Sequence, residues 1–278
     1  MEQSANKAVR IRLIKLGANV VFVALLLIDI LVLNKYAIPL NAKKTEVLTW
    51  GYIPWWATLI IGVALFTGLL GVYYAISLHV KGLLEKKCDP IAYYLVSKGS
   101  VFKFTKEQQD LLEMQTSFYT GKFSVAIDKA NCLLEKSRKN YDNAVKTLIQ
   151  SYYFTEDLDA NERLIKNLAE KQKAQNKKER KSAELFLQYA LLYGEMTKGN
   201  YYKAKQLINC VVVSAKTPKN KKRYEKNHRL AVIEWEYMWG LIQLKTGYTH
   251  NGKATLKDVT QKANKTFYFE KAKSLLEE

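Results

Sequence analysis

The sequence predicts an all-α protein in which an N-terminal two-helix transmembrane hairpin precedes a domain of repeated helical pairs. Three observations support this. Residues 52–80 read YIPWWATLIIGVALFTGLLGVYYAISLHV, with no charged side chain before Lys81. The remainder lacks the long alternating β-branched runs that strands require. A short Gly-x-aromatic-x-x-Ala unit also returns in the C-terminal part of the chain.

Residues 1–15 are basic, with Lys7, Arg10, Arg12 and Lys15, and residues 16–33 are apolar over about one membrane thickness when helical. A signal peptide shares the basic head, but its apolar core is usually about 7–15 residues long and ends at a small-residue cleavage site. Here the run is longer, continues into Asn34, Lys35 and Tyr36, and meets only a weak site near Ala42, so it reads as a retained anchor. The second span is residues 52–80. Trp50, Tyr52, Trp55 and Trp56 stand at one end and Tyr73 and Tyr74 near the other, as interfacial aromatic residues do. Lys81, Lys86, Lys87, Lys98, Lys103 and Lys106 follow it, so both flanks of the pair are basic. The positive-inside bias places both termini in the cytoplasm of a multi-pass cell-membrane protein, although the external connector has Lys35, Lys43 and Lys44 of its own.

Asp29 lies inside the first span, where a carboxylate is costly and by default marks function. The competing explanation is that it sits about a turn from Asn34 and reaches interfacial water. Gly62, Ala64, Gly68 and Gly71 give the second span small side chains that allow close packing on the first span or on a second copy. Two spans offer too little polar lining for a permeation path. Residues 1–82 are therefore expected to form the anchor, 83–104 a juxtamembrane linker with a short helix, and 105–278 a cytoplasmic domain. Asp89 and Pro90 suit a helix start. The tyrosines that follow either lie beside lipid headgroups or cover the first helix of the domain. Thr105 and Gln108 have capping-box spacing.

Beyond that box, Gly121, Phe123 and Ala126 recur as Gly199, Tyr201 and Ala204, and in part as Phe269 and Ala272. Ala160 lies 34 residues after Ala126, with Asp157 in place of the aromatic. The unit and its period resemble the tetratricopeptide (TPR) repeat, over residues 105–278. The family's Trp and Pro positions are mostly missing, residues 160–204 contain an insertion, and an irregular helical bundle is the alternative. Helices are expected over 105–120, 123–136, 141–155, 158–173, 180–198, 201–213, 224–246 and 266–276, with residues 248–265 interrupting the last pair. The resemblance implies stacked helical pairs with a concave face. Its register puts Phe118, Tyr119, Tyr152, Tyr153, Tyr189, Tyr193 and Met196 along that face as a candidate groove for an apolar or aromatic peptide. Ordinary core packing is the other account of each. Trp235 and Trp239 share a helix face and suit the core.

With 44 Lys and Arg against 26 Asp and Glu, the 278-residue chain carries a net charge of +18 and calls for an acidic partner surface. Lys177, Lys178, Arg180 and Lys181 belong to one basic run, and Lys221, Lys222 and Arg223 to another. Both fall between helical pairs and are expected to form one rim facing anionic lipid; solvated loops are the plainer account. Nucleic acid is disfavoured as a partner, because no reading motif accompanies these runs. No phosphate-binding loop, dinucleotide fingerprint, zinc-protease motif or nucleophile elbow occurs, so neither catalysis nor a cofactor or metal is expected. Cys88, Cys132 and Cys210 show no disulfide or metal spacing. Cys88 is a candidate for acylation beside the membrane, and the other two are expected in the core. The expected function is a membrane-anchored scaffold that docks a protein or peptide partner at the cytoplasmic face. Two alternatives stand: an accessory or immunity subunit acting through the spans, and a membrane-tethered peptide sensor.

Overall fold

The computed structural model describes residues 55–98, 105–136, 139–173, 176–214 and 228–277, together with Gly17. Among them the chain is all helical, with eleven helices and no strand. A long helix α1 (Trp55–Glu85) and a short α2 (Pro90–Lys98) lead into three helical hairpins. These are α3 (Lys106–Tyr119) with α4 (Phe123–Lys136), α5 (Tyr141–Phe154) with α6 (Leu158–Lys171), and α7 (Lys177–Thr197) with α8 (Tyr201–Ser214). A last group follows, α9 (Arg229–Lys245), α10 (Thr249–Lys262) and α11 (Phe267–Glu277).

The hairpins share one turn. Gly121, Glu156, Gly199 and Gly247 all have φ between +57° and +89°. Around each, the next amide donates to the carbonyl five residues back and the left-handed residue's own amide to the carbonyl three back. In the first turn these are Lys122 to Ser117 at 2.8 Å and Gly121 to Phe118 at 3.0 Å. The paired bonds satisfy carbonyls that a helix end leaves open, and the left-handed residue reverses the chain. A threonine hydroxyl reinforces three of the four turns, Thr120 to Thr116 O at 2.8 Å, Thr155 to Ser151 O at 3.0 Å and Thr246 to Ile242 O at 2.8 Å.

Turn geometry, not residue type, sets the register of the repeat. Counting from the left-handed residue, the small position holds Ala126, Asn161, Ala204 and Gly252. The second unit is thus read through Leu158 and Asn161, one residue beyond the Asp157 and Ala160 expected from sequence. Asp157 instead caps α6, its carboxylate accepting from the Ala160 amide at 2.9 Å. The fourth turn is at Gly247, and residues 249–262 form helix α10 where an interruption was expected. Glycine has a low intrinsic helix propensity, and Gly252 sits inside α10. In space it is a contact point: a Cβ there would lie 2.7 Å from the Leu244 amide nitrogen. Gly240 faces it, where a Cβ would lie 3.0 Å from Leu256 Cγ.

Successive hairpins rest on one another, α4 on α5 and α6 on α7, with α3, α5 and α7 forming an inner layer. The α9–α10 pair touches α8 through α9 but departs from the regular stack. Helix α9 faces the inner side of the first two hairpins, so that Glu234 meets Tyr119 and Lys146, and Tyr237 meets Phe154. At the N-terminal side, Thr105 and Gln108 form the expected capping box (3.3 and 3.1 Å), and Asp89 caps α2 through the Ala92 amide at 2.9 Å. The short helix expected within residues 83–104 is α2, and Leu83, Leu84, Cys88, Ala92 and Val96 around it are buried. Tyr93 covers α3, donating to Gln115 at 3.2 Å.

Among the described residues, no helix is long and apolar enough to cross a membrane. Apart from Gly17, residues 16–33, with Asp29, lie outside the described residues, as do many side chains in the first half of α1.

Two substitutions at equivalent turn positions should have opposite signs. A Cβ at Gly199 would meet nothing within 4 Å, so Gly199→Ala should cost only the left-handed conformation, about 1–2 kcal/mol. Glu156→Gly should add up to about 1 kcal/mol, because it relieves that cost. Urea unfolding of the full chain measures both. Gly252→Ala should destabilise by about 1–3 kcal/mol, since backbone atoms cannot step aside as a flexible side chain would.

Candidate functional site

The inner layer carries most of the aromatic residues expected to bind a partner, Tyr152 excepted, and the chain covers much of it with its own C-terminal helices. Phe118 on α3 is 2% exposed, and its ring meets that of Phe267 at 5.5 Å between centroids. Phe267 also meets Phe123 at 5.0 Å and Phe154 at 4.8 Å, both nearly perpendicular. Edge-to-face rings place a positive ring edge on a negative π face and contribute about 0.5–1.5 kcal/mol per pair beyond burial. Tyr268, 1% exposed, continues the seam between Phe154 and Tyr237.

The remaining members of the row lie along α5 and α7. Tyr153 meets Tyr193 at 5.4 Å, and Tyr193 stacks on Tyr189 at 6.4 Å. Tyr193 and Met196 are buried, whereas Tyr153 and Tyr189 are half-buried. Tyr152 points away from this set; it is buried in the core, and its phenol hydrogen-bonds with Asn131 of α4. Trp235 and Trp239 pack half-buried against the same core.

A buried carboxylate crosses the seam. Glu234 on α9 is 6% exposed and accepts a 2.6 Å hydrogen bond from the Tyr119 hydroxyl. Its other oxygen pairs with the Lys146 ammonium from α5. Burying a carboxylate is costly unless both its charge and its lone pairs are met, and these two partners meet them. Sequence inspection gave no sign of this triad, because its members lie on three helices far apart in the chain. Burial pushes the phenols of Tyr119, Tyr153, Tyr193 and Tyr268 up, with nearby carboxylate or phenolate charge adding to it.

The other expected sites are spread out. Lys177, Arg180 and Lys181 are exposed at the start of α7. The Lys178 side chain and Lys221, Lys222 and Arg223 lie outside the described residues, as do the surroundings of Gly62 and the Cys210 side chain. On α1, Ala64, Gly68 and Gly71 are exposed, and a Cβ at Gly68 or Gly71 would meet nothing within 4 Å. Cys88 is fully buried, and its thiol is pushed up to about 12 by desolvation. Such a thiol is neither accessible nor ionised for acylation. Cys132 is partly exposed on α4, with its sulfur 3.0 Å from the Lys136 ammonium. Among the described residues no group of three or more His, Cys, Asp and Glu could hold a metal ion. Comparison of the chain with protein-family models, curated proteins and solved structures finds no match.

The raised phenols set a pH dependence. A folded pKa above the unfolded value of 10.0 means the native state keeps protons that the unfolded chain releases. Stability should therefore hold below pH 10 and fall as pH rises past it, with tyrosinate absorbance from these residues appearing only on unfolding. A titration showing them ionise in the folded state would refute this. Lys146→Met should lower stability by about 1–3 kcal/mol by leaving Glu234 buried without its cation, and Glu234→Gln in the same chain should recover part of the loss.

Proposed function

We propose that this chain is a membrane-tethered helical scaffold that docks a protein or peptide partner at the cytoplasmic face of the membrane. The observation that carries the reading is the continuity of α1 with the domain. The uncharged run of residues 52–80 enters a 31-residue helix whose far end, at Leu84, belongs to the same core as the hairpins. Ile60, Val63, Tyr74 and Leu78 on that helix are 52–67% exposed. Large apolar side chains gain about 1.5–3 kcal/mol each on leaving water, and lipid supplies the apolar medium. The first anchor is residues 16–33, and the basic flanks favour cytoplasmic termini.

Tethering raises the local concentration of whatever the domain binds, so catalysis is not needed for effect. The repeated hairpins, TPR-like in turn and small-residue register, supply the docking surface. The basic side chains at the start of α7 suit the anionic inner leaflet. A second reading, an accessory subunit acting through its spans, is favoured by the open faces of Gly68 and Gly71.

Crosslinking and mass spectrometry in native membranes tests the proposal. The expected result is a carbonate-resistant protein, with residues 105–278 protected from external protease and crosslinked to a recurring partner through the hairpins. Recovery in the soluble fraction, or crosslinks confined to α1, would count against the scaffold. Fragments offer a further check: one starting at His79 should keep cooperative unfolding, whereas one starting at Thr105 loses Leu83, Leu84 and Cys88 from the core and should be less stable by several kcal/mol.

A further inference from the structure

We propose that the α10–α11 corner and the turn ending α1 form a clasp that holds the C-terminal helices over the aromatic inner face. Opening it uncovers a seat for an amphipathic partner helix bearing adjacent aromatic side chains. The identity of the seat rests on the docking function proposed above; the clasp itself does not.

Three contacts make the clasp. The Asn264 side-chain amide donates to Lys87 O at 2.7 Å, the Lys265 amide donates to Cys88 O at 3.2 Å, and the Lys265 ammonium pairs with Asp89 at 3.1 Å. Asp89 also caps α2, so one carboxylate joins the start of α2 to the start of α11. Both sides of the clasp are bent into the left-handed region, at Cys88 (φ +52°) and Asn264 (φ +49°). For a cysteine that conformation is uncommon and persists where surrounding contacts hold it.

Phe267 is two residues beyond Lys265. Its ring is the one that closes the box of Phe118, Phe123 and Phe154, so loosening the clasp bears directly on the cover. Helix α11 has 11 residues, too few to stay helical in water without packing. Lifted from the seam it loses both its contacts and its helix. The vacated box has the chemistry of α11's own first turn: three phenylalanine rings arranged to receive another ring edge-on, with Glu234, Tyr119 and Lys146 beside them. A helix presenting an aromatic pair in its first turn fits that box as a helix fits a groove. The end of α1 is the other half of the clasp, so movement of the apolar helix and exposure of the seat are coupled.

The test is amide exchange on the full chain in lipid nanodiscs, comparing wild type with the double variant Asn264→Gly, Lys265→Met. Glycine keeps the left-handed turn, so the two side-chain contacts of the clasp are removed while the Lys265 amide keeps its bond to Cys88 O. Exchange in residues 268–276 should quicken by about tenfold or more, the equivalent of losing the two side-chain contacts, while α4 and α6 keep their protection. Lys265→Arg should stay close to wild type. Unchanged exchange in 268–276, or equal acceleration in every helix, would overturn the clasp. A synthetic peptide of residues 267–277 then probes the seat, and should bind the double variant about tenfold more tightly than wild type. Faster exchange without peptide binding upholds the clasp and overturns the docking seat.

Discussion

Phe267 against the rings of Phe118, Phe123 and Phe154 is the contact on which the domain's closure depends. Three hairpins stacked side by side bury the faces they turn to each other, but their inner layer remains apolar and aromatic. Left open, that layer would be an extended hydrophobic surface. The C-terminal helices close it, and they do so with large rings that bridge helices. Because the seam is built from side chains of this size, one charged group, Glu234, can be carried within it once Tyr119 and Lys146 are in place.

Regularity in the hairpins comes from backbone chemistry. The same pair of carbonyl-capping hydrogen bonds closes four turns whose left-handed residue is glycine in three and glutamate in one. Each turn reverses the chain, and in three of the four the residue five positions on is small (Ala126, Ala204 and Gly252), with Asn161 in the other. Glycine thus has two distinct uses here, conformational at Gly199 and volumetric at Gly252. Departure from the regular stack begins at α9, which turns toward the inner layer.

The end of α1 is as much a part of the folded domain as any hairpin. Leu84 and Cys88 share its core, and the turn after them is bonded to the corner before α11. A helix joined in this way transmits tilt or translation to the domain, whereas a flexible linker would absorb it. On the scaffold function proposed above, α1 and the docking face are mechanically dependent, with the aromatic seam as the part that yields.

Helix type, most helix boundaries, the capping box at Thr105 and the cap at Asp89 were legible in the sequence, because each depends on contacts a few residues apart. So was the repeat in outline, through Gly121, Phe123 and Ala126 and their counterparts at Gly199, Tyr201 and Ala204. Helix α10 was not, since Gly252 carries opposite meanings in local propensity and in close packing, and only the approach of Leu244 distinguishes them. An apolar stripe on α3, α5 and α7 was legible, but not that Tyr152 leaves it or that the C-terminal helices lie over it: an apolar stripe specifies that something covers it and leaves the occupant undefined. The Glu234 triad and the clasp at residues 264–265 were likewise decided by tertiary structure, because hydrophobic periodicity has no record of which distant charges and carbonyls the fold brings within hydrogen-bonding distance.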